Sequence, residues 1–315
     1  MKKIIIVVLS LAFILGFIFW RFGPDLSEQN PLSPGSVNLT YWGLWEEENL
    51  ILPIIEEYKK IKPDVNITYI RQSSTNYRTR VQTQVSEGLG PDIFRIHNSW
   101  LPMFSGILAP VPQEVFSLTE FRNTFYPVAE ETLVKNSSIL AAPIEIDGLA
   151  LFYNEELLNN VGLPVPRGWQ EFVNTASRIT VKDGNGIIQT AGASLGTASN
   201  VDHWSDIVGL LMLQQPGVDI NSPTSLGAVE VMRFYTGFVT DPRRKTWDIN
   251  LPSSTQMFAT GRLAFYLAPS WRVHELRQIN PNLNFKVAPV PQLPGRNINW
   301  GSFWAEGVSI KSQHQ

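Results

Sequence analysis

Residues 151–180, LFYNEELLNNVGLPVPRGWQEFVNTASRIT, constrain the fold most, because they carry start and stop signals for two helices. Asn154 is placed to cap a first helix, and the two glutamates that follow suit its positive end. Gly162 ends this helix, and the prolines after it prevent its continuation. A second helix is predicted to begin at Trp169, since apolar residues recur at helical spacing as far as Ile179.

The N-terminal part of the globular region shows a strand, helix, strand alternation. Residues 37–41 and 65–69 read as two similar strands on either side of an amphipathic helical pattern, and a third strand is predicted at residues 92–96. Such alternation predicts a parallel sheet flanked by helices. Ligands of these sheets bind beyond the carboxyl ends of the strands, which directs attention to residues 42–46, 73–76 and 97–100.

Composition limits the classes of protein that this chain can represent. A length of 315 residues with 43% hydrophobic residues is enough for two folded domains. The net charge is −3, and the charged residues are scattered along the chain, so no basic face is available to follow a phosphate backbone. We therefore expect no nucleic acid partner.

The N-terminus predicts a membrane anchor. Residues 4–20 are apolar except for Ser10 and would span about 25 Å as a helix, near the lower limit for a bilayer core. The sequence favours an uncleaved transmembrane anchor at residues 1–22 and a linker at residues 23–36. Lys2 and Lys3 would hold the N-terminus in the cytoplasm, which leaves the globular part outside.

A cleaved signal peptide is the alternative interpretation of this N-terminus. Large residues precede Arg21 where a peptidase requires small ones, which argues against cleavage. The chain also contains no cysteine, so disulfides and attachment through a lipid-modified cysteine are excluded.

Several short motifs occur in a characteristic order. Residues 151–180 contain Tyr-Asn, Gly-Leu, Pro-x-Pro, Trp-x-Glu-Phe and Ile-Thr, and Pro-Asp-Ile-Phe precedes them at residues 91–94. Gly-Arg-Leu-Ala-Phe follows at residues 261–265, and Val-Ala-Pro-Val-Pro at residues 287–291. This order resembles the extracellular solute-binding proteins of family 1, the sugar-capturing subunits of ABC importers. The resemblance covers nearly the whole chain from Val37 onward.

The resemblance implies an α/β fold of the two-lobed, periplasmic-binding-protein-like type II clamshell class. Each lobe would be a mainly parallel sheet flanked by helices, preceded by the N-terminal transmembrane helix. Lobe 1 would comprise residues 37–147 and 302–315, and lobe 2 residues 148–301. Family members usually continue with helices that complete both lobes. A chain that stops at Gln315 is therefore expected to be truncated, with an incomplete lobe 2.

The same resemblance implies that the protein binds a carbohydrate, most simply an oligosaccharide, outside the cytoplasm and delivers it to ABC permease subunits. Neither catalysis nor a cofactor is expected. A ligand-sensing ectodomain of a signalling receptor is an alternative that neighbouring genes would distinguish. A carbohydrate-active enzyme is a third possibility, and it would require two opposed carboxylates across the cleft.

Candidate ligand-binding residues follow from the chemistry of sugars, which bind to aromatic platforms and to paired hydrogen-bonding groups. By resemblance, Trp271 occupies the position where the family places a tryptophan facing the cleft. Glu145 and Asp147 are two residues apart, so on an extended segment both carboxylates would face one way and could accept sugar hydroxyls. The full candidate set is Trp42, Glu46, Ser74, Asn98, Glu145, Asp147, Trp204, Trp271, Trp300, Gly301 and Trp304.

Structural roles are the alternatives for these candidates. Each tryptophan could serve only as core, the carboxylates could be solvated, and Ser74 could cap a helix. Trp300 and Trp304 flank Gly301 in the return crossing, so one is expected to line the cleft while the other packs at the hinge. Asp206 is a further candidate for reaching across the cleft. The four histidines have neither metal-ligand spacing nor an acidic partner beside them, so no metal site is predicted.

Overall fold

The computed structural model describes residues 36–314, which form two units. The first comprises residues 36–74 with His314, and the second comprises residues 75–313. The predicted anchor at residues 1–22 lies outside the described residues, as does nearly all of the predicted linker. Within residues 36–314, no helix combines the length and the apolar character needed to cross a bilayer.

The first unit is the predicted strand, helix, strand element. Its members are β1 (Val37–Gly43), α1 (Glu48–Ile61) and β2 (Val65–Arg71). The strands run parallel in register, with Val37 opposite Val65 and Gly43 opposite Arg71. A parallel pair needs a crossover connection, and α1 provides it. The βαβ prediction is confirmed.

The second unit begins with elements that precede the predicted crossing to lobe 2. They are α2 (Tyr77–Glu87), β3 (Ile93–His97), α3 (Leu101–Phe104), α4 (Leu118–Thr124), α5 (Pro127–Leu133), β4 (Val134–Lys135), β5 (Ser138–Ile139) and β6 (Ala142–Pro143). Later in the chain, β12 (Trp304–Val308) returns to pair antiparallel with both β3 and β6.

The remaining elements of the second unit lie between β6 and β12. They are β7 (Leu149–Asn154), α6 (Glu155–Asn160), α7 (Trp169–Ile179), β8 (Val181–Lys182), β9 (Ile188–Ala193), α8 (Trp204–Gln214), α9 (Leu226–Thr240), α10 (Ser254–Ala259), β10 (Leu263–Pro269), α11 (Arg272–Ile279) and β11 (Phe285–Ala288). Both helices predicted in residues 151–180 form, and Asn154 caps the first by accepting the Leu157 N–H at 3.0 Å.

The sheet of this region has the strand order β11, β7, β10, β9, β8. Of the pairings that the structure describes within it, only β10 with β9 is parallel, and the others are antiparallel. The expectation of a mainly parallel sheet is therefore wrong here. The sheet is mixed because β7 runs antiparallel to both of its neighbours, β10 and β11, and β8 runs antiparallel to β9.

The core of this region lies on both faces of that sheet. Every residue of β10 is buried, as is typical of a central strand covered on each side. Helix α7 packs its apolar face there through Phe172 and Ala176, and Trp169 is also buried. The apolar spacing that begins at Trp169 thus marks the buried face of this helix.

Gln214 is a fully buried polar residue at the end of α8 that organises the loop after β11. Its Oε1 accepts the indole N–H of Trp169 at 2.8 Å and the backbone N–H of Leu293 at 3.1 Å. Its Nε2 donates to the carbonyls of Pro291 and Ile298 at 3.1 and 3.2 Å. The amide is thus fully satisfied and links a helix to the segment that leads toward Trp300.

Replacing Gln214 by Leu tests this link. The variant leaves a buried indole N–H and a backbone N–H without their partner, so we expect the free energy of unfolding to fall by about 3 kcal/mol. Urea denaturation followed by circular dichroism measures the change. The same replacement at Gln170, which is exposed on α7, should cost less than about 0.5 kcal/mol. Equal losses in both variants would contradict the role of Gln214.

Candidate functional site

Two segments of the second unit lie side by side, one before β7 and one before β12. Gly148 and Gly301 form an antiparallel bridge. The Leu149 N–H donates to the Trp300 carbonyl at 3.2 Å, and the Ser302 N–H donates to the Asp147 carbonyl at 2.9 Å. We call residues 147–149 and 300–302 the paired crossings. They are the segments at which the sequence predicted the chain to pass between lobes.

Both glycines are required by close approach rather than by backbone conformation. A Cβ on Gly148 would lie 2.8 Å from the Trp300 carbonyl oxygen, and one on Gly301 would lie 2.6 Å from a methyl carbon of Val128. Such contacts are shorter than van der Waals packing allows. Gly301, a candidate ligand contact, therefore has a packing role in the paired crossings.

The carboxylate of Asp147 binds the start of α11. Its Oδ1 accepts the Gly148 N–H at 2.6 Å and the Ser270 N–H at 3.1 Å, and its Oδ2 accepts the Trp271 N–H at 3.3 Å. A carboxylate suits this place because the first amides of a helix lack partners and carry positive partial charge. Asp147 thereby ties the first crossing to the backbone of Trp271.

Trp271 stands at the N-terminus of α11 with 46% of its surface exposed. The guanidinium of Arg272 lies over its ring, 4.4 Å from the ring centroid. The imidazole of His203 meets it edge on, with centroids 6.0 Å apart. These contacts orient the indole while leaving much of it accessible, which is the condition for an aromatic binding platform.

Polar side chains connect this platform to the second crossing. Arg272 donates from Nε to His203 Nε2 at 3.1 Å, and Nδ1 of His203 is 3.8 Å from Asp206 Oδ2. Ser302 Oγ donates to the same Asp206 oxygen at 3.3 Å, and His97 Nε2 lies 3.2 Å from Ser302 Oγ. We call this series the polar chain. It joins α11 and α8 to the end of β3 through the second crossing.

The far end of the polar chain is aromatic. His97 stacks edge on against Trp304 at 5.1 Å, and Trp304 stacks edge on against Trp100 at 5.3 Å. Register explains the first contact, since Trp304 of β12 is directly opposite His97 of β3.

Burial lowers the pKa of His97 below its ordinary value, although the negative charge of Asp206 acts in the opposite direction. His97 is therefore neutral at pH 7.

The remaining candidates in the second unit have different surroundings. Asn98 is buried, donating to the Gly301 carbonyl at 3.4 Å and accepting the Phe303 N–H at 3.2 Å, so its amide holds the second crossing. Trp300 packs against the core with its ring directly over Gly209. Both tryptophans that flank Gly301 therefore make packing contacts, Trp300 with Gly209 and Trp304 with His97 and Trp100. Trp204 is 41% exposed at the start of α8.

Glu145 and Asp147 do not form the predicted strand pair. The segment between β6 and β7 is irregular except for the bridge at Gly148, because its backbone turns to meet the second crossing. Glu145 is exposed, and within residues 36–314 the structure records no hydrogen bond of its carboxylate, whereas Asp147 is bound by three amides. Of these two carboxylates, that of Glu145 is the one open to a ligand.

Trp42, Glu46 and Ser74 belong to the first unit. Trp42 lies in β1 opposite Ile70 of β2 and is half-buried. The backbone carbonyl of Glu46 accepts the Tyr69 hydroxyl at 2.9 Å, and Ser74 is exposed after β2. Their roles as ligand contacts stay predictions.

Three members of the polar chain, His203, Arg272 and Ser302, were not among the candidates from the sequence, and His97 was included only within the range 97–100. The prediction that no histidine has an acidic partner is wrong for His203, because Asp206 follows it by one helical turn and its carboxylate lies 3.8 Å from the imidazole. That spacing is visible in the sequence. The approach of Ser302 to Asp206 is not, because the two are far apart along the chain.

Comparison with known proteins identifies the family. The profile of the bacterial extracellular solute-binding proteins matches residues 45–310, which is most of the chain. The chain belongs to this family. A curated relative, the melibiose/raffinose/stachyose-binding protein MelE of Bacillus subtilis, is 24% identical over 182 residues. That alignment covers 54% of this chain and 42% of MelE, so this solute-binding protein matches less than half the length of the relative.

Solved structures agree on the fold. The sugar-binding protein MalE of Xanthomonas citri superposes with a TM-score of 0.71 at 20% identity, covering 88% of this chain and 72% of MalE. An ABC transporter solute-binding protein of Thermotoga lettingae, bound to α-D-tagatose, gives a TM-score of 0.68 at 19% identity, covering 89% and 74%. The α/β fold of solute-binding proteins is thereby confirmed.

The paired crossings predict a strong effect of one methyl group. Gly148→Ala should lower the free energy of unfolding by about 2 kcal/mol, because the new Cβ forces the crossing away from the Trp300 carbonyl. Gly184→Ala is the matched control, since that position meets open space, and it should change stability by less than about 0.5 kcal/mol. Urea denaturation measures the free energy of unfolding of both variants. Equal values would show that the paired crossings can move apart without a loss of stability.

The low pKa of His97 predicts a pH dependence of stability. The unfolded chain binds a proton at this histidine more readily than the folded protein does, so its contribution is complete above about pH 6.5 and declines at lower pH. Between about pH 7.5 and pH 5.5, His97→Gln should therefore lose less free energy of unfolding than the wild type. The exposed His274→Gln serves as control. If the free energy of unfolding of His97→Gln falls with pH as steeply as that of the wild type, His97 is not the source of the pH dependence.

Proposed function

We propose that this protein captures a carbohydrate between two lobes outside the cytoplasm and delivers it to an ABC import permease. The lobes would be residues 37–147 with 302–315, and residues 148–301, as a type II clamshell. The observation that carries the proposal is the exposed indole of Trp271, oriented by Arg272 and His203 beside the paired crossings. An oriented aromatic face with polar groups around it suits the C–H face and hydroxyl rim of a sugar.

The paired crossings supply the place for a hinge. Backbone hydrogen bonds join them, and few residues would need to change their dihedral angles for one lobe to rotate against the other. The polar chain passes through Ser302 of the second crossing, so a ligand that contacts Trp271 or Asp206 would bias that rotation. Ligand binding would then shift an equilibrium between open and closed forms, which a permease could distinguish.

The relatives support the choice of ligand class. MelE is described as binding melibiose, raffinose and stachyose, and the Thermotoga lettingae structure contains α-D-tagatose. Trp271, Trp204, Glu145 and Asp206 are the residues that we expect to contact a sugar. The membrane anchor at residues 1–22 is part of the same proposal and would hold the globular part near the permease.

Thermal unfolding tests the proposed function directly. We expect the full-length chain, purified in mild detergent, to melt at a higher temperature with at least one of melibiose, raffinose, maltose, maltotriose and mannobiose, because a ligand that binds only the native state stabilises it. Trp271→Ala should weaken that sugar about tenfold, equivalent to about 1.4 kcal/mol. Tyr126→Ala removes an exposed aromatic ring from α5's N-terminus and should leave binding unchanged.

Two outcomes would contradict the proposal. A cooperative melt that none of the sugars shifts would argue against carbohydrate capture. Equal weakening by Trp271→Ala and Tyr126→Ala would separate sugar binding from the Trp271 platform.

A further inference from the structure

Two helix N-termini meet the polar chain, and a carboxylate of the protein lies at each. Asp147 binds the amides of Ser270 and Trp271 at the start of α11. Asp206 lies in the first turn of α8. Helix N-termini are ready-made binding places for phosphate and other anions, because their free amides and the helix dipole attract negative charge. At α11 Asp147 already holds the amides, and at α8 the charge of Asp206 opposes the approach of a second anion.

The cationic group of the polar chain is also committed. Arg272 forms an ion pair with Glu275, donates to His203, and covers one face of Trp271. A guanidinium held by a carboxylate and an aromatic ring has little remaining capacity to neutralise a ligand's charge. Arg272 therefore acts on the ligand through the indole that it orients.

The hydrogen bonds of the polar chain show which imidazole nitrogens accept. His203 Nε2 accepts from Arg272, so this nitrogen carries no proton. Ser302 donates to Asp206 and must therefore accept from the Nε2–H of His97, whose Nδ1 accepts the Ser99 N–H at 3.4 Å. His97, whose pKa burial lowers, therefore does not balance the carboxylate of Asp206.

Asp206 remains as a negative charge with an open oxygen. Its recorded contacts within residues 75–313, to Ser302 and His203, both involve Oδ2, and 17% of its side chain is exposed. The exposed Trp204 lies two residues before it, and Trp271 lies beside its partner His203. Oδ1 is thus available to accept a hydrogen bond from a group that approaches these indoles.

We infer that Asp206, together with Asp147, makes this site selective for neutral polyhydroxylated ligands and excludes phosphorylated ones. The inference rests on the proposed function and narrows it to a ligand class. A sugar hydroxyl can donate to Asp206 Oδ1, and this charge-assisted hydrogen bond offsets the water that both groups lose. A phosphate group placed there faces the Asp206 carboxylate at short range, finds the amides before α11 held by Asp147, and gains no free cation within the polar chain.

The test measures the affinities of matched neutral and phosphorylated sugars for the full-length chain in mild detergent. Calorimetric titrations with maltose, trehalose and glucose are compared with titrations of their 6-phosphate derivatives. We expect the tightest neutral sugar to bind at least about tenfold more strongly than its phosphate, because the added dianion is repelled and unpaired. Asp206→Asn should reduce this ratio about tenfold, whereas Asp206→Glu, which keeps the charge, should preserve most of it.

Glu156→Gln is the matched control, because it removes an exposed carboxylate on α6 that is outside the site. It should leave both affinities and their ratio as in the wild type. A merely structural role of Asp206 would weaken both members of a pair equally and leave the ratio unchanged, which would overturn the inference.

The remaining outcomes separate this inference from the proposed function. A phosphorylated sugar that binds as tightly as its neutral parent, or more tightly, would overturn the selectivity and leave solute capture intact. Failure of every neutral and phosphorylated sugar to bind would contradict the proposed function, and the selectivity would fall with it.

Discussion

The structure of the second unit depends on a backbone contact that leaves no room for a side chain. Gly148 and Gly301 face each other where the chain passes from β6 toward β7 and later returns toward β12. The carbonyl of Trp300 and the methyl groups of Val128 occupy the space that a Cβ would need. Because the crossings are this close, Asp147 can reach α11 and Ser302 can reach α8. The positions of the site residues follow from that approach.

One physical interaction, a carboxylate at a helix N-terminus, is used twice around these crossings. Asp147 satisfies unpaired amides before α11, and Asp206 adds a negative charge to the first turn of α8. The first positions the backbone of Trp271, and the second receives the hydrogen bond from Ser302. The carboxylates at the two helix N-termini thus also place negative charge beside the paired crossings.

Much of the local structure was predictable because it depends on neighbouring residues. The cap at Asn154, the start of α7 at Trp169 and the βαβ order of the first unit follow from short-range signals. Strand direction in the sheet of order β11, β7, β10, β9, β8 was mispredicted, since pairing between distant strands leaves no local trace in the sequence. Of the candidate residues, Trp271 and Trp204 are partly exposed, whereas Asn98, Gly301 and Trp300 hold or pack the crossings.

By itself, the sequence determined the secondary structure, the family and the residue types available for a site, because periodicity, helix caps and motif order are properties of the chain. Only the tertiary structure decided which of those residues meet. Asp206 approaches Ser302, and His97 stacks on Trp304, through contacts between segments that are remote in sequence. The close packing of two glycines brings those segments together, and no local pattern specifies which glycines will be opposed.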